Sequence, residues 1–163
     1  MMLESGTRSV DFSLPDATDQ PHRLSDALAD GPVVLAFMKT GCMACNLTFP
    51  YLERLSQAFP ATRYQIWGIS QDPAQAANSF AARNSVTFPL LIDAAELAVS
   101  KAYDPAATPT LFLIDQSGVV RSCRVGHSKD DLNELAAELA TLVGAEPVVV
   151  APLDDGRPDT RPG

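Results

Sequence analysis

The sequence has few cysteines, few positive charges and no long hydrophobic run, and each shortage argues against a class of protein. Three cysteines in 163 residues are too few for a scaffold held together by disulfides. The 12 basic and 20 acidic residues give a net charge of −8, which argues against a surface for nucleic acid or anionic membrane. No apolar stretch approaches the roughly 20 residues that a membrane helix needs. An acidic domain that binds neither nucleic acid nor membrane is therefore expected.

The N-terminus also lacks the pattern of a signal peptide. The opening stretch, MMLESGTRSVDF, has no basic segment followed by an apolar run. A cytoplasmic location is therefore expected, where cysteines are kept reduced. The length of 163 residues and the 46% hydrophobic content suit one domain with a substantial core.

Apolar patterning predicts alternating strands and helices. PVVLAFMK and RYQIWGIS are nearly continuous apolar runs, which is typical of strands buried on both faces. Between them, apolar residues recur every four positions from about Cys42 to Phe59, which predicts a helix. PTLFLID and GVVRSCRVG flank a short glycine-containing turn and predict an antiparallel hairpin. Ser128 is expected to cap the last helix, with an acidic residue three positions on.

These elements predict an α/β fold with a mixed central sheet, helices on both faces and a short N-terminal strand extension. Residues 10–144 form the predicted domain. Residues 1–9 are predicted to be a flexible N-terminus. Residues 145–163 are rich in proline and aspartate, which predicts a disordered acidic tail.

The stretch MKTGCMACNLTFP places Cys42 and Cys45 between a buried strand and a helix. Residues three apart in the first helical turn face the same side, and their separation suits a disulfide. Free N–H groups and the helix dipole at this end stabilise an anion, and the thiolate is the reactive form of cysteine. Cys42 is therefore predicted to attack, and Cys45, one turn deeper, to resolve the mixed disulfide.

The sequence resembles the thioredoxin superfamily, and within it the TlpA-like thiol-disulfide oxidoreductases, which are neighbours of the peroxiredoxins. The resemblance covers residues 11–142 and rests on DFSLPDATDQPHRLSDAL, PVVLAFMKTGCMACNLTFPYLERL, WGISQD, FPLLID and TPTLFLIDQSGVVRSCRVG. It implies a thioredoxin-like fold in which Cys42 is the nucleophile and Cys45 the resolving thiol. It also implies that Pro109 is a cis-proline facing the pair and that Thr108 offers backbone groups to a substrate peptide.

The cysteine motif departs from the family pattern at several positions. Relatives often have tryptophan before the first cysteine and proline before the second, whereas this chain has Gly41 and Ala44. Gly41 and the apolar Met43 flank Cys42, and both are candidate residues for supporting the contact with a substrate. Relatives often carry an acid that handles the proton of the buried thiol. The two family positions of this acid fall on Ala36 and Thr48, which have no carboxyl group to exchange a proton with the buried thiol.

A thiol peroxidase of the peroxiredoxin type is the alternative function. Peroxiredoxins need a threonine three residues and a proline seven residues before the reactive cysteine. Counting back from Cys42 gives Lys39 and Leu35, and counting back from Cys45 gives Cys42 and Met38. Neither register fits, so the peroxidase hypothesis ranks second.

A structural zinc site is a third hypothesis. Cys123 and His127 extend the pair to C-x2-C … C-x3-H, a plausible set of zinc ligands. The strand that holds Cys123 runs back toward the pair, but Cys123 is expected to stop short of it. Cys123 is therefore interpreted as a small strand residue, and His127 as a polar residue on the rim near Cys42.

The predicted function is thiol-disulfide exchange by a monomer. The expected partners are proteins with disulfides, which would lie along the edge formed by Thr108 and Pro109, and a reductase that supplies electrons. No metal or organic cofactor is expected.

Overall fold

A computed structural model describes residues 1–163. The strands are β1 (Ser13–Pro15), β2 (Pro21–Arg23), β3 (Val33–Met38), β4 (Gln65–Ser70), β5 (Leu90–Ile92), β6 (Thr110–Ile114), β7 (Val120–Val125), β8 (His127–Ser128) and β9 (Thr160–Arg161). The helices are α1 (Leu24–Leu28), α2 (Met43–Ser56), α3 (Ala74–Asn84), α4 (Ala98–Tyr103) and α5 (Lys129–Val143). None of these helices is long and apolar enough to cross a bilayer.

Five strands form the central sheet in the order β5-β4-β3-β6-β7. β3 pairs in parallel with β4 and antiparallel with β6, and β6 and β7 form an antiparallel hairpin. The predicted mixed sheet and hairpin are therefore confirmed. The remaining strands form two small ribbons, β1 with β2 and β8 with β9.

The sheet separates two hydrophobic cores, because side chains alternate between the faces of a strand. Val34 and Met38 of β3 face the larger core, which holds Cys45 and the apolar faces of α2 and α5. The alternate residues of β3 face the smaller core, with Trp67 and Tyr103. This two-sided burial explains why β3 reads as a continuous apolar run.

Residues 1–9, which the sequence predicts to be a flexible segment, make backbone contacts with the folded domain. The backbone N–H of Leu3 bonds to the Tyr103 carbonyl at 3.2 Å, and that of Gly6 bonds to the Val120 carbonyl at 2.7 Å. Residue 8 forms an isolated bridge with residue 119. The end of α4 and the start of β7 with the turn before it supply the backbone partners, and no pattern within residues 1–9 indicates that they are available.

The structure also departs from the prediction of a disordered tail over residues 145–163. Val150 and Ala151 are buried in the larger core, and both backbone N–H groups bond to the side-chain oxygen of Asn133. Farther on, β9 pairs with β8, so that Thr160 lies opposite Ser128. The composition of the tail resembles that of disordered segments, but its polar groups have specific partners on α5 and β8.

Candidate active site

Cys42 is the N-cap residue of α2. Its backbone is extended, and its sulfur accepts a hydrogen bond from the Cys45 backbone N–H at 3.2 Å. The first N–H groups of a helix have no partner within the helix, so the sulfur satisfies one of them. The Cys42 side chain is half-buried. The sequence-predicted position of Cys42 at the start of the helix is confirmed.

The segment before β6 brings a backbone carbonyl to the same sulfur. The Thr108–Pro109 peptide bond is cis, as the sequence predicts. The Cys42 thiol donates a hydrogen bond to the Thr108 carbonyl oxygen at 3.2 Å. The structure therefore brings three of the predicted site residues together, Cys42, Thr108 and Pro109, and Cys45 follows one turn into α2.

Cys45 has no solvent-exposed surface. Burial raises the pKa of the Cys45 thiol far above its ordinary value, and hydrogen bonding with Cys42 raises it further. The three cysteines are free thiols in the structure. Cys45 therefore holds its proton at neutral pH, while Cys42 is the thiol that a substrate can reach.

A buried hydrogen-bonded pair lies one turn beyond Cys45. The Thr48 hydroxyl and the His127 Nδ1 are 2.8 Å apart, and both residues are buried. His127 Nε2 is 3.0 Å from the Pro158 carbonyl oxygen, which can only accept, so Nε2 carries the proton. The Nδ1 atom is then the acceptor, and Thr48 donates to it. Burial lowers the pKa of His127, which favours this neutral form.

The pair corrects one sequence prediction. The sequence analysis places His127 on the rim near Cys42, but only 3% of this residue is exposed. Thr48, which stands at a family position of the missing acid, is hydrogen-bonded to this titratable side chain. Sequence reasoning could not find the contact, because the two residues are 79 positions apart.

Lys129 is buried beside this pair and is neutralised by the tail. Its ammonium donates to Asp155 at 2.7 Å and to the Arg157 carbonyl at 2.8 Å, and Asp159 is 3.2 Å away. Burial alone lowers the pKa of Lys129, but the hydrogen bonds to Asp155 and Asp159 outweigh it and the net shift is upward. The hydrogen bonds from Lys129 and Tyr51 hold the pKa of Asp155 far below its ordinary value.

The remaining predicted residues separate into two groups. Gly41 and Met43 are exposed on either side of Cys42, and 61% of Met43 is accessible. Cys123 packs instead against the smaller core on the other side of the sheet, with its sulfur 3.7 Å from that of Met2. The set proposed for zinc is therefore not assembled, and no three His, Cys, Asp or Glu side chains are arranged to hold a metal ion.

Comparisons with known proteins agree with this geometry. The model of the AhpC/TSA family matches residues 5–123. The thiol-disulfide oxidoreductase ResA of Geobacillus kaustophilus is 34% identical over 129 residues, which are 78% of this chain and 73% of that protein.

Two solved structures are also similar to this chain. A Chlorobium tepidum structure assigned as a thiol:disulfide interchange protein DsbE has a TM-score of 0.78 and 26% identity over 88% of this chain and 100% of its own. The peroxidoxin BcpB of Mycobacterium tuberculosis has a TM-score of 0.71 and 28% identity over 88% of this chain and 97% of its own.

Proposed function

This chain belongs to the AhpC/TSA family and is a thioredoxin-fold thiol-disulfide oxidoreductase, and on that premise we propose that Cys42 and Cys45 reduce or exchange disulfides in proteins. One observation carries the proposal. The Cys42 sulfur accepts a helix N–H and lies 3.2 Å from the Thr108 carbonyl, with a free Cys45 one turn deeper. A dithiol at a helix start beside the Thr108 backbone carbonyl suits attack on a disulfide within an extended peptide.

The reaction proceeds in two exchanges. The Cys42 thiolate attacks one sulfur of the substrate disulfide, so that a mixed disulfide forms and the other substrate sulfur leaves as a thiolate. Cys45 then attacks the Cys42 sulfur and releases the second substrate thiol. Two electrons pass from the enzyme to the substrate, and the Cys42–Cys45 disulfide must be reduced by a partner protein with a dithiol. A reducing direction fits a cytoplasmic location, which is part of the proposal.

The proton of Cys45 needs an acceptor before the second exchange. Thr48 follows Cys45 by three residues on α2, which places both side chains on one helix face. We assign the Thr48 hydroxyl as a relay that acts when the Cys45 side chain turns toward it, since no hydrogen bond joins the two residues before the reaction. The hydroxyl then takes the Cys45 proton and passes its own to His127 Nδ1, which becomes an imidazolium. The acceptor geometry of His127 Nδ1, fixed by the Pro158 carbonyl, supports the second half of this transfer.

A thiol peroxidase is the second candidate function, because the chain is similar to the peroxidoxin BcpB. Lys39 and Leu35 stand where a peroxiredoxin has threonine and proline before Cys42. Slow peroxide reduction is therefore expected, since no side chain at those positions can activate the peroxide.

The test is the reduction of insulin by dithiothreitol, with hydrogen peroxide consumption measured in parallel. The wild type is expected to accelerate insulin reduction, and Cys42→Ser to retain less than about 1% of that acceleration, because the nucleophile is lost. Cys45→Ser is expected to accumulate a mixed disulfide on Cys42, detected by mass spectrometry. Full activity of Cys42→Ser would overturn the proposal, and faster turnover of peroxide than of insulin would favour the peroxidase.

A further inference from the structure

Residues 160–163 lie beside the cis-proline segment. β9 runs antiparallel to β8, with Arg161 opposite His127. The chain then continues past Gly126, where an added Cβ would be 3.5 Å from the Gly163 nitrogen and 3.7 Å from the Pro162 Cα. Gly126 itself bonds through its N–H to the Pro109 carbonyl at 2.8 Å. Residues 160–163 therefore cross from β8 to the segment that carries Pro109.

Gly163 lies against the Thr108 carbonyl, to which Cys42 is hydrogen-bonded. A Cβ added at Gly163 would collide with the Thr108 carbonyl oxygen and would lie 2.9 Å from the Ala107 Cβ. The same Thr108 oxygen accepts the hydrogen bond from Cys42 at 3.2 Å. Only a residue without a side chain fits this close to the nucleophile.

The residues before this segment are anchored independently of it. Asp155 and Asp159 neutralise the buried Lys129, and the Pro158 carbonyl accepts from His127. The Asp159 carbonyl also accepts from the Lys129 backbone N–H at 2.9 Å. Residues up to 159 therefore bring residues 160–163 to the site, and displacement of those four residues breaks the pairing of β9 with β8 but leaves the contacts of Lys129 in place.

We propose that residues 160–163 occupy the position in which the peptide of a protein substrate binds, and that the substrate must displace them. The inference rests on the proposed function, because it identifies the edge at Thr108 as the place where the substrate's backbone pairs. An extended segment binds such an edge through main-chain hydrogen bonds. Thr160 and Arg161 are already extended where they pair with β8, and Gly163 follows them to the Thr108 carbonyl. The partner class is an unfolded or loop segment around a disulfide, with a small residue next to the sulfur.

Occupation by the chain's own residues reduces the apparent affinity for a substrate, because only the open fraction can bind. A small disulfide needs only the Cys42 sulfur and not the whole edge. Residues 160–163 therefore act as a selectivity element. They weaken the binding of protein segments that pair poorly with the backbone at Thr108, and they change the reaction of small disulfides with Cys42 only slightly.

Proximity is tested by cross-linking in the full chain that carries Cys45→Ser and Cys123→Ser. Pro162→Cys is introduced, and the protein is incubated with oxidised glutathione. An intramolecular disulfide between residue 162 and Cys42, seen as the loss of two hydrogens by mass spectrometry, is expected. Leu153→Cys is the control, because this residue is 59% exposed within the same tail. Cross-linking no faster than in the control would overturn the placement.

Displacement is tested by kinetics. Gly163→Val adds a side chain where the Thr108 oxygen leaves no room, and Arg161→Pro removes the backbone donor that pairs β9 with His127 of β8. Both variants are expected to lower the KM for insulin about tenfold, if roughly one molecule in ten is open in the wild type. Their rates with oxidised glutathione should change less than about twofold. Val149→Ala, at an exposed tail position, should behave as the wild type.

The two experiments separate this inference from the proposed function. If the cross-link forms but no variant reduces insulin, the proposed function fails and the placement of residues 160–163 stands. If insulin is reduced but both variants keep the wild-type KM, residues 160–163 do not compete with the substrate and the inference is overturned.

Discussion

At the scale of single residues, the site depends on an asymmetry between its two cysteines. Cys42 is half-buried at a helix start, whereas Cys45 has no exposed surface and a raised pKa. One thiol can therefore meet a substrate while the other stays protonated until the first exchange has occurred. This order prevents Cys45 from reacting with solutes on its own.

Selective alkylation tests this asymmetry. In the native protein at pH 7, iodoacetamide is expected to modify Cys42 at least roughly 100-fold faster than Cys45, because burial and a raised pKa both suppress the Cys45 thiolate. The modified residues are identified by peptide mass spectrometry. Unfolded protein is the control and should lose the selectivity. Comparable alkylation of both thiols in the native protein would contradict the account.

Thr48 and His127 are tested through the second exchange alone. Ellman's reagent releases one coloured thiolate when Cys42 attacks and another when Cys45 resolves, so a stopped-flow trace separates the steps. Thr48→Val is expected to slow the second phase roughly 100-fold, at the lower end of what proton transfer by a positioned side chain contributes, and to leave the first phase unchanged. In Thr48→Val, the rate of the second phase should also rise more steeply with pH than in the wild type, because solvent must then take the Cys45 proton.

Thr48→Ser is the matched control for that variant. It keeps the hydroxyl and should restore most of the second-phase rate, whereas a purely packing role would leave it as slow as Thr48→Val. Equal second phases in the wild type and Thr48→Val would contradict the relay.

At the scale of elements, the tail is held by charges that its composition does not reveal. Lys129 begins α5 and is fully buried, so it needs carboxylates at short range. Asp155 and Asp159 supply them from a segment whose composition predicts disorder. The tail is therefore part of the folded domain.

Acidification tests this element. Hydrogen bonds from Lys129 and Tyr51 hold the pKa of Asp155 below its ordinary value, so Asp155 stabilises the fold fully above an unfolded-state pKa of about 4. That stability is lost as the pH falls through the lower folded-state pKa. The free energy of unfolding in urea should thus fall more between pH 6 and pH 3 in the wild type than in Asp155→Asn.

Asp154→Asn serves as the control for acidification, because residue 154 is exposed and makes no hydrogen bond through its side chain. It should follow the wild type at every pH. Parallel loss of stability in the wild type and Asp155→Asn would show that Asp155 is not a source of the acid sensitivity.

At the scale of the whole molecule, the sequence predicts the parts of the structure that arise from local patterns. The buried strands, the helix after Cys42 and the cap at Ser128 each depend on a short stretch and its neighbours. The cis bond before Pro109 follows from the family resemblance and not from a local pattern. The contact between His127 and Thr48 could not be predicted, because it joins distant segments. The ordered tail escaped prediction because its partner, Lys129, reads as an ordinary surface lysine at a helix start.

The central claim is that Cys42 and Cys45 form one reversible redox couple. The direct measurement is to equilibrate the full chain with glutathione at a series of ratios and to count the free thiols at each cysteine by mass spectrometry. The account predicts a two-electron transition confined to Cys42 and Cys45, with Cys123 reduced throughout. Failure of this pair to form a disulfide, with Cys42 oxidised by peroxide to a sulfenic acid instead, would contradict it.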